Sequence, residues 1–247
     1  MAAKRDVPFY VGYLRLPRDL RGFLIRLVIA FLVIDIALAL FIFVVQKPRA
    51  SGAWGIAGEA YYSGRFSVRP YPLLRVPAEG GGSRIVFIIS EGKIGAPPGL
   101  EDFDGAQVTV GGYPLQRGDL TLLQLAEPPD RREAAGPAPP DDAAATDRTM
   151  TGEIMDSKCW AGAMNPGEGK EHKSCAGLCM LGGLPILFVV GGPGGEQQWY
   201  LLTDKSGEPI EHPTSPFIGD QITVSGTVAV KDGLPLFEVD PATLGFD

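Results

Sequence analysis

A chain of 247 residues has room for a membrane segment and about two small domains. Its formal charge of −7 deepens to −10 after residue 45, where 16 Lys/Arg face 26 Asp/Glu, and this excludes the basic footprint of a nucleic-acid binder. The 33 glycines and 22 prolines point to many turns, hence short strands rather than long helices.

In chain order, a basic segment (residues 1–22) leads into an apolar run from Phe23 to Val45, long enough to span a bilayer. Lys4, Arg5, Arg15, Arg18, Arg21 and Arg26 precede or open the run, and only Lys47 and Arg49 follow closely. That asymmetry predicts a cytoplasmic N-terminus and an extracytoplasmic remainder. No small-x-small cleavage site follows a run of this length, so the segment reads as an uncleaved anchor in a bacterial inner membrane. Asp35 falls near its centre, where a carboxylate costs roughly 2.5–3.5 kcal/mol on insertion scales. Arg26 lies about 13 Å away along a helix, too far to pair. A polar group on another transmembrane helix would offset that cost, so Asp35 is the expected contact with a membrane-protein complex or a second copy. The other reading is a protonated, merely tolerated side chain.

After a short juxtamembrane linker (46–54) the chain repeats itself. Residues 71–127 set against 185–241 align at a constant offset of 114 without a gap. Identities include Leu73/Leu187, Phe103/Phe217, Gly105/Gly219, Val110/Val224, Leu120/Leu234 and Leu122/Leu236. A repeat of this size implies two equivalent domains, here 55–127 and 150–247. Ahead of it, Gly58-Glu59 matches Gly152-Glu153 at an offset of 94, so the second copy carries about 20 extra residues near its start. Each copy reads as five short strands; in the second they fall near 150–156, 185–190, 197–203, 220–229 and 233–239. Ile222-Thr223-Val224-Ser225 alternates apolar and polar, and Lys231-Asp232-Gly233 predicts a tight hairpin. Gly191 to Gly195 is a hairpin loop rather than a phosphate cradle, because no helix follows. Pro128 to Arg148 is rich in Pro, Ala and charge and reads as a flexible linker (128–149).

These strand patterns resemble the OB-fold, a five-stranded barrel that often binds ligands around the loop joining its first two strands. The expected fold is therefore mainly β: one N-terminal transmembrane helix, then two tandem OB-fold-like five-stranded barrels. The second carries a Cys/His-bearing insertion at about 157–184, between strands 1 and 2.

That insertion holds the chemistry. Cys159, Cys175 and Cys179 are all the cysteines of the chain, and His172 is one of two histidines. Their spacing is C-x12-H-x2-C-x3-C. On a helix, His172, Cys175 and Cys179 share one face, and Asn165-Pro166-Gly167 supplies a turn that returns Cys159 to it. Three sulfurs and an imidazole suit one metal ion, Zn(II) or Cu(I). Met164, Met180 and His212 are possible additional ligands. Lys170 and Lys173 are expected beside the thiols, favouring thiolates. Two alternatives stand beside the metal: a structural disulfide with one odd thiol, and a redox pair, Cys175/Cys179. No Ser-His-Asp set or C-x-x-C-H haem attachment pattern is legible.

Asp156-Ser-Lys-Cys159, His172-Lys-x-Cys175-Ala-x-x-Cys179 and Gly182-Gly-x-Pro185 resemble a motif of an uncharacterised, membrane-anchored bacterial family. Cys175-Ala-Gly-Leu-Cys179 is similar to the C-x-x-x-C copper loops of Sco-type chaperones and of the dinuclear copper site in cytochrome oxidase. An anchored extracytoplasmic OB domain also resembles the haem chaperone of cytochrome c maturation, whose His-and-Tyr haem-binding tail is absent here. The expected function is a non-enzymatic, periplasm-facing metal-binding accessory or assembly subunit of a membrane redox complex. The rivals are a thiol–disulfide oxidoreductase and a structural interaction module.

Overall fold

A computed structural model describes residues 17–45, 52–54, 58–78, 82–132, 142–191, 196–211 and 215–245. It divides into two units, Met1–Pro48 and Arg49–Asp247.

The first unit is the helix α1 (Arg18–Val45). Its Leu20–Val45 stretch of 26 residues is about 39 Å long at 1.5 Å per residue, enough to cross a hydrocarbon core of about 30 Å. The helix starts five residues before the predicted run. The carbonyl of Pro17 accepts the Arg21 N–H at 2.9 Å, and the proline ring suits a position that needs no donor.

The second unit is mainly β and consists of two closed five-stranded barrels in tandem. The first uses β2 (Ala60–Ser67), β3 (Leu73–Pro77), β4 (Ser83–Ile89), β5 (Gln107–Arg117) and β6 (Leu120–Leu125). Two-residue strands β1 (Ala53–Trp54) and β7 (Asp130–Arg131) add to β5. The second barrel uses β8 (Ala143–Asp156), β9 (Ile186–Val190), β10 (Gln198–Thr203), β11 (Ile222–Lys231) and β12 (Leu234–Glu238). Both follow one topology, and in each the third and fifth barrel strands run parallel: β4 with β6, β10 with β12. The repeat holds down to register. Phe87 faces Leu122 and Leu201 faces Leu236, each residue displaced by the offset of 114. The Lys231-Asp232-Gly233 hairpin forms as expected, with φ positive at Asp232 (50°) and Gly233 (80°).

β8 begins seven residues before its predicted start, inside the expected linker. Ala143 to Thr149 buries no apolar side chain; it is held by its ladder to β11 and by hydroxyl contacts, Thr149–Ser225 at 2.8 Å and Thr227–Asp147 at 2.9 Å. An exposed strand of this kind leaves no hydrophobic period to read.

Three apolar clusters organise the unit. Phe66, Leu74, Val86, Ile88 and Val110 fill the first barrel, and Ile154, Ile186, Phe188, Leu202 and Phe237 fill the second. The third lies between the barrels. Its members Leu73, Phe87, Leu120 and Leu122 come from the first copy and Leu187, Leu201, Leu234 and Leu236 from the second, four repeat-equivalent pairs. The barrels thus meet on equivalent faces, as two copies do across a two-fold axis. β3, β4 and β9 are buried on both sides because one face looks into a barrel and the other into this seam. Polar ties cross it too. Trp199 Nε1 donates to Asp119 at 2.6 Å, and Phe87 packs edge-on against Trp199 at 6.3 Å. The Gly95 N–H reaches the Gly182 carbonyl at 2.8 Å. A Cβ on Gly182 would sit 1.8 Å from the Lys93 carbonyl oxygen, so the approach there requires glycine.

Candidate metal centre

The insertion leaves β8 at Asp156 and folds onto the seam. Residues Cys159–Ala163 make one wide helical turn. Asp156 ties its start: Oδ1 accepts the Cys159 N–H at 2.8 Å, the role of an N-cap. The other oxygen, Oδ2, lies 3.0 Å from His172 Nε2. Asp156 is fully buried and His172 is 2% exposed. After a short 3-10 turn (Lys170–His172), α2 (Lys173–Leu181) carries Cys175 and Cys179. His172, Cys175 and Cys179 therefore follow the i, i+3, i+7 spacing expected for one face.

Cys159 is the meeting point. Its Sγ lies 3.9 Å from Cys175 Sγ and 3.9 Å from Cys179 Sγ, and all three thiols are free. A ring nitrogen of His172, Cys159 Sγ and Cys175 Sγ lie within 4.8 Å of one another, and so do an Asp156 oxygen, Cys159 Sγ and Cys179 Sγ. The Cys/His cluster expected from sequence is assembled and could hold a metal ion. Donation from Nε2 to Asp156 leaves Nδ1 as the imidazole's lone-pair atom, the arrangement in which a carboxylate orients a metal-binding histidine.

The lysines facing the sulfurs are not the expected ones. Lys170 and Lys173 turn away to Asp220, at 3.1 and 3.2 Å. Lys93, on the first barrel, instead donates to Cys175 Sγ at 2.6 Å. That contact raises the Lys93 ammonium above its ordinary value, and the neighbouring sulfurs add to the rise. Lys158, 4% exposed, reaches back across the seam to the carbonyls of Ser90 and Gly92 and to Gln124 Oε1, at 2.8, 2.9 and 3.0 Å. Burial pulls Lys158 down, while the charges of Cys179 and Cys159 oppose this. The thiols divide likewise. Cys179 is lowered because Cys159 hydrogen-bonds to it, with help from Lys93, whereas Cys159 is raised by that same hydrogen bond, by burial and by Asp156. Of this pair, Cys179 is the one biased toward thiolate and Cys159 the one biased toward thiol.

Arg117, from β5, closes the far side. It donates to the Trp160 carbonyl at 3.0 Å, pairs with buried Glu168 at 3.1 Å and lies 4.4 Å above the Trp160 ring. Met180 packs in the second barrel's interior with Phe188 and Ile154, and Met164 is exposed. His212 lies outside the described residues. Asp35 lies in α1, within the Leu20–Val45 stretch.

Asp156, Lys93 and Lys158 were not anticipated as site residues. Asp156 was visible in the Asp156-Ser-Lys-Cys159 motif. Lys93 was not, since 82 residues separate it from the sulfur it touches. Compared with known protein families, curated proteins and solved structures, the chain gives no match.

Proposed function

We propose that this chain is a membrane-anchored, extracytoplasmic accessory or assembly subunit of a membrane redox complex, and that its seam holds a soft metal ion. The observation that carries the reading is the pair of 3.9 Å sulfur separations around Cys159 beside a buried imidazole. With metal–sulfur bonds of about 2.3 Å, a tetrahedral edge is about 3.8 Å and a trigonal one about 4.0 Å. Those two separations match the sulfur edges around Zn(II) or Cu(I). Cys159, His172 and Cys175 would hold the ion, with Cys179 beside Cys159; when bound, it would supply a soft, transferable cation in a largely buried site. Asp156 holds the imidazole, and Lys93 and Lys158 offset part of the thiolate charge.

The basic residues before and in the first turns of α1, against few after it, support the orientation. Asp35 within the span supports docking on another transmembrane helix. Full-length chain purified in detergent under reductant should carry metal by elemental analysis and resist mild chelators, and a folded, metal-free preparation that takes up neither Zn(II) nor Cu(I) would overturn the reading. One observation favours the thiol–disulfide rival in altered form. The sulfurs in contact are Cys159 with Cys175 and Cys159 with Cys179, so a disulfide would join Cys159 to Cys175, the partly exposed partner, rather than Cys175 to Cys179. Turnover of a model disulfide that is lost in Cys159→Ser would support that rival.

A further inference from the structure

A single four-coordinate ion needs its four donors mutually close, with edges of about 3.8 Å for sulfur ligands. The donors here do not form one such group. They fall into two sets of three, Cys159–His172–Cys175 and Asp156–Cys159–Cys179, each with ligand atoms within 4.8 Å of one another, and only Cys159 belongs to both. Resting on the metal reading above, we infer that the seam holds two ions, bridged by the Cys159 thiolate, and that both are Cu(I).

Charge selects the ion. With metal bound, three thiolates and the Asp156 carboxylate carry four negative charges. Lys93 at Cys175 and the buried Lys158, next to Cys159 in the chain and held by Ser90, Gly92 and Gln124, return two. Two monovalent ions cancel the remainder, whereas two divalent ions would leave two positive charges in a buried seam, at high cost. Softness permits it, since thiolates take Cu(I) as well as Zn(II), and a thiolate sulfur has lone pairs enough to bridge. The sets are unequal. The first offers two sulfurs and an imidazole. The second offers two sulfurs and a hard carboxylate, whose oxygens already accept from the Cys159 N–H and the His172 ring and must use their second lone pairs. The His172 set therefore fills first.

The test uses the full-length chain in detergent, anaerobic and reduced, titrated with Cu(I) against a competing chelator of known affinity. Two ions per chain are expected, in two steps. Cys179→Ser should hold one, by losing the second set; Cys175→Ser should hold one, by losing the first; Cys159→Ser should hold none. X-ray absorption of the loaded wild type, which depends on no variant folding, should show copper–copper scattering. A wild type that saturates at one ion without that scattering overturns the two-ion inference and leaves the single-ion reading standing. A wild type that takes up neither Cu(I) nor Zn(II) sinks both. Two ions retained in Cys159→Ser would also overturn it, because the bridge would be unnecessary.

Discussion

Phe87→Ala tests whether the two barrels are one cooperative unit. Phe87 is fully buried on β4, on the face turned toward the second barrel, and its ring packs edge-on against Trp199 at 6.3 Å. Truncating a buried phenylalanine removes about 3–5 kcal/mol, of which the aromatic pair accounts for about 0.5–1.5. In a unit the size of Arg49–Asp247, each kcal/mol lowers the midpoint by about 2–4 °C, so the loss is about 6–20 °C. The change is made in the first barrel and read in the second. Trp160 and Trp199 are both buried there. In a Trp54→Phe background, which silences the tryptophan on β1 of the first barrel, their emission should report unfolding at the same temperature as far-UV circular dichroism, with both midpoints falling together. The full chain in micelles is the sample, α1 contributing a flat helical baseline. If tryptophan emission keeps the wild-type midpoint while an earlier transition splits off in the dichroism, the barrels are independent. The seam would then be a contact rather than a core.

Asp156→Asn removes the charge that orients His172 while keeping a similar shape, and should weaken metal binding about 10–100-fold in a chelator competition; an unchanged affinity would show that the carboxylate orients nothing. Gly182→Ala drives a methyl against the Lys93 carbonyl and should cost about 1–3 kcal/mol, with faster hydrogen exchange at the Gly95 amide as the local signature. Full protection at Gly95 would mean the seam absorbs the methyl. Asp220 is held below its ordinary value by its hydrogen bond to Lys170 and then by that to Lys173. A depressed folded pKa gives stabilisation that is present above the unfolded value of about 3.9 and lost as pH falls through the folded one. The thermal midpoint should therefore drop below about pH 4, and Asp220→Asn should flatten part of that drop. Identical acid slopes in variant and wild type would remove Asp220 from the account.

The barrels were legible because the repeat is gapless over 57 residues, and a constant offset carries strand order and register together. The insertion was legible because it interrupts that offset. β8 was cut short for the opposite reason: Ala143 to Thr149 pairs through backbone and hydroxyls, which leave no apolar alternation. At the site, helical spacing placed His172, Cys175 and Cys179, and the turn after Met164 returned Cys159. Spacing says nothing about which charges come from elsewhere in the chain. Lys170 and Lys173 were near the thiols in sequence and face Asp220 in space, while Lys93 was far in sequence and touches Cys175. The apolar runs of β3, β4 and β9 did hold a signal for the seam, since a strand buried on both faces in a small barrel needs something packed outside it.

That outer packing explains why one copy carries the donors and the other completes the site. Equivalent faces meeting across a two-fold-like axis bring equivalent loops close to the seam, and only the second copy has residues added there. Its partner's short β2–β3 connection contributes Tyr71 to the shared cluster rather than a matching insertion. The asymmetry gives each barrel part of the centre. The second supplies Asp156, Cys159, His172, Cys175 and Cys179. The first supplies the ammonium at Cys175, the carbonyls that hold Lys158, and the Arg117 that covers Trp160. A second barrel isolated from the first would keep every donor, yet lose Lys93, leave Lys158 with no acceptor at Ser90 or Gly92, and open Cys159 and Trp160 to water. The first barrel, which has no cysteine of its own, is thus a working part of the candidate metal centre.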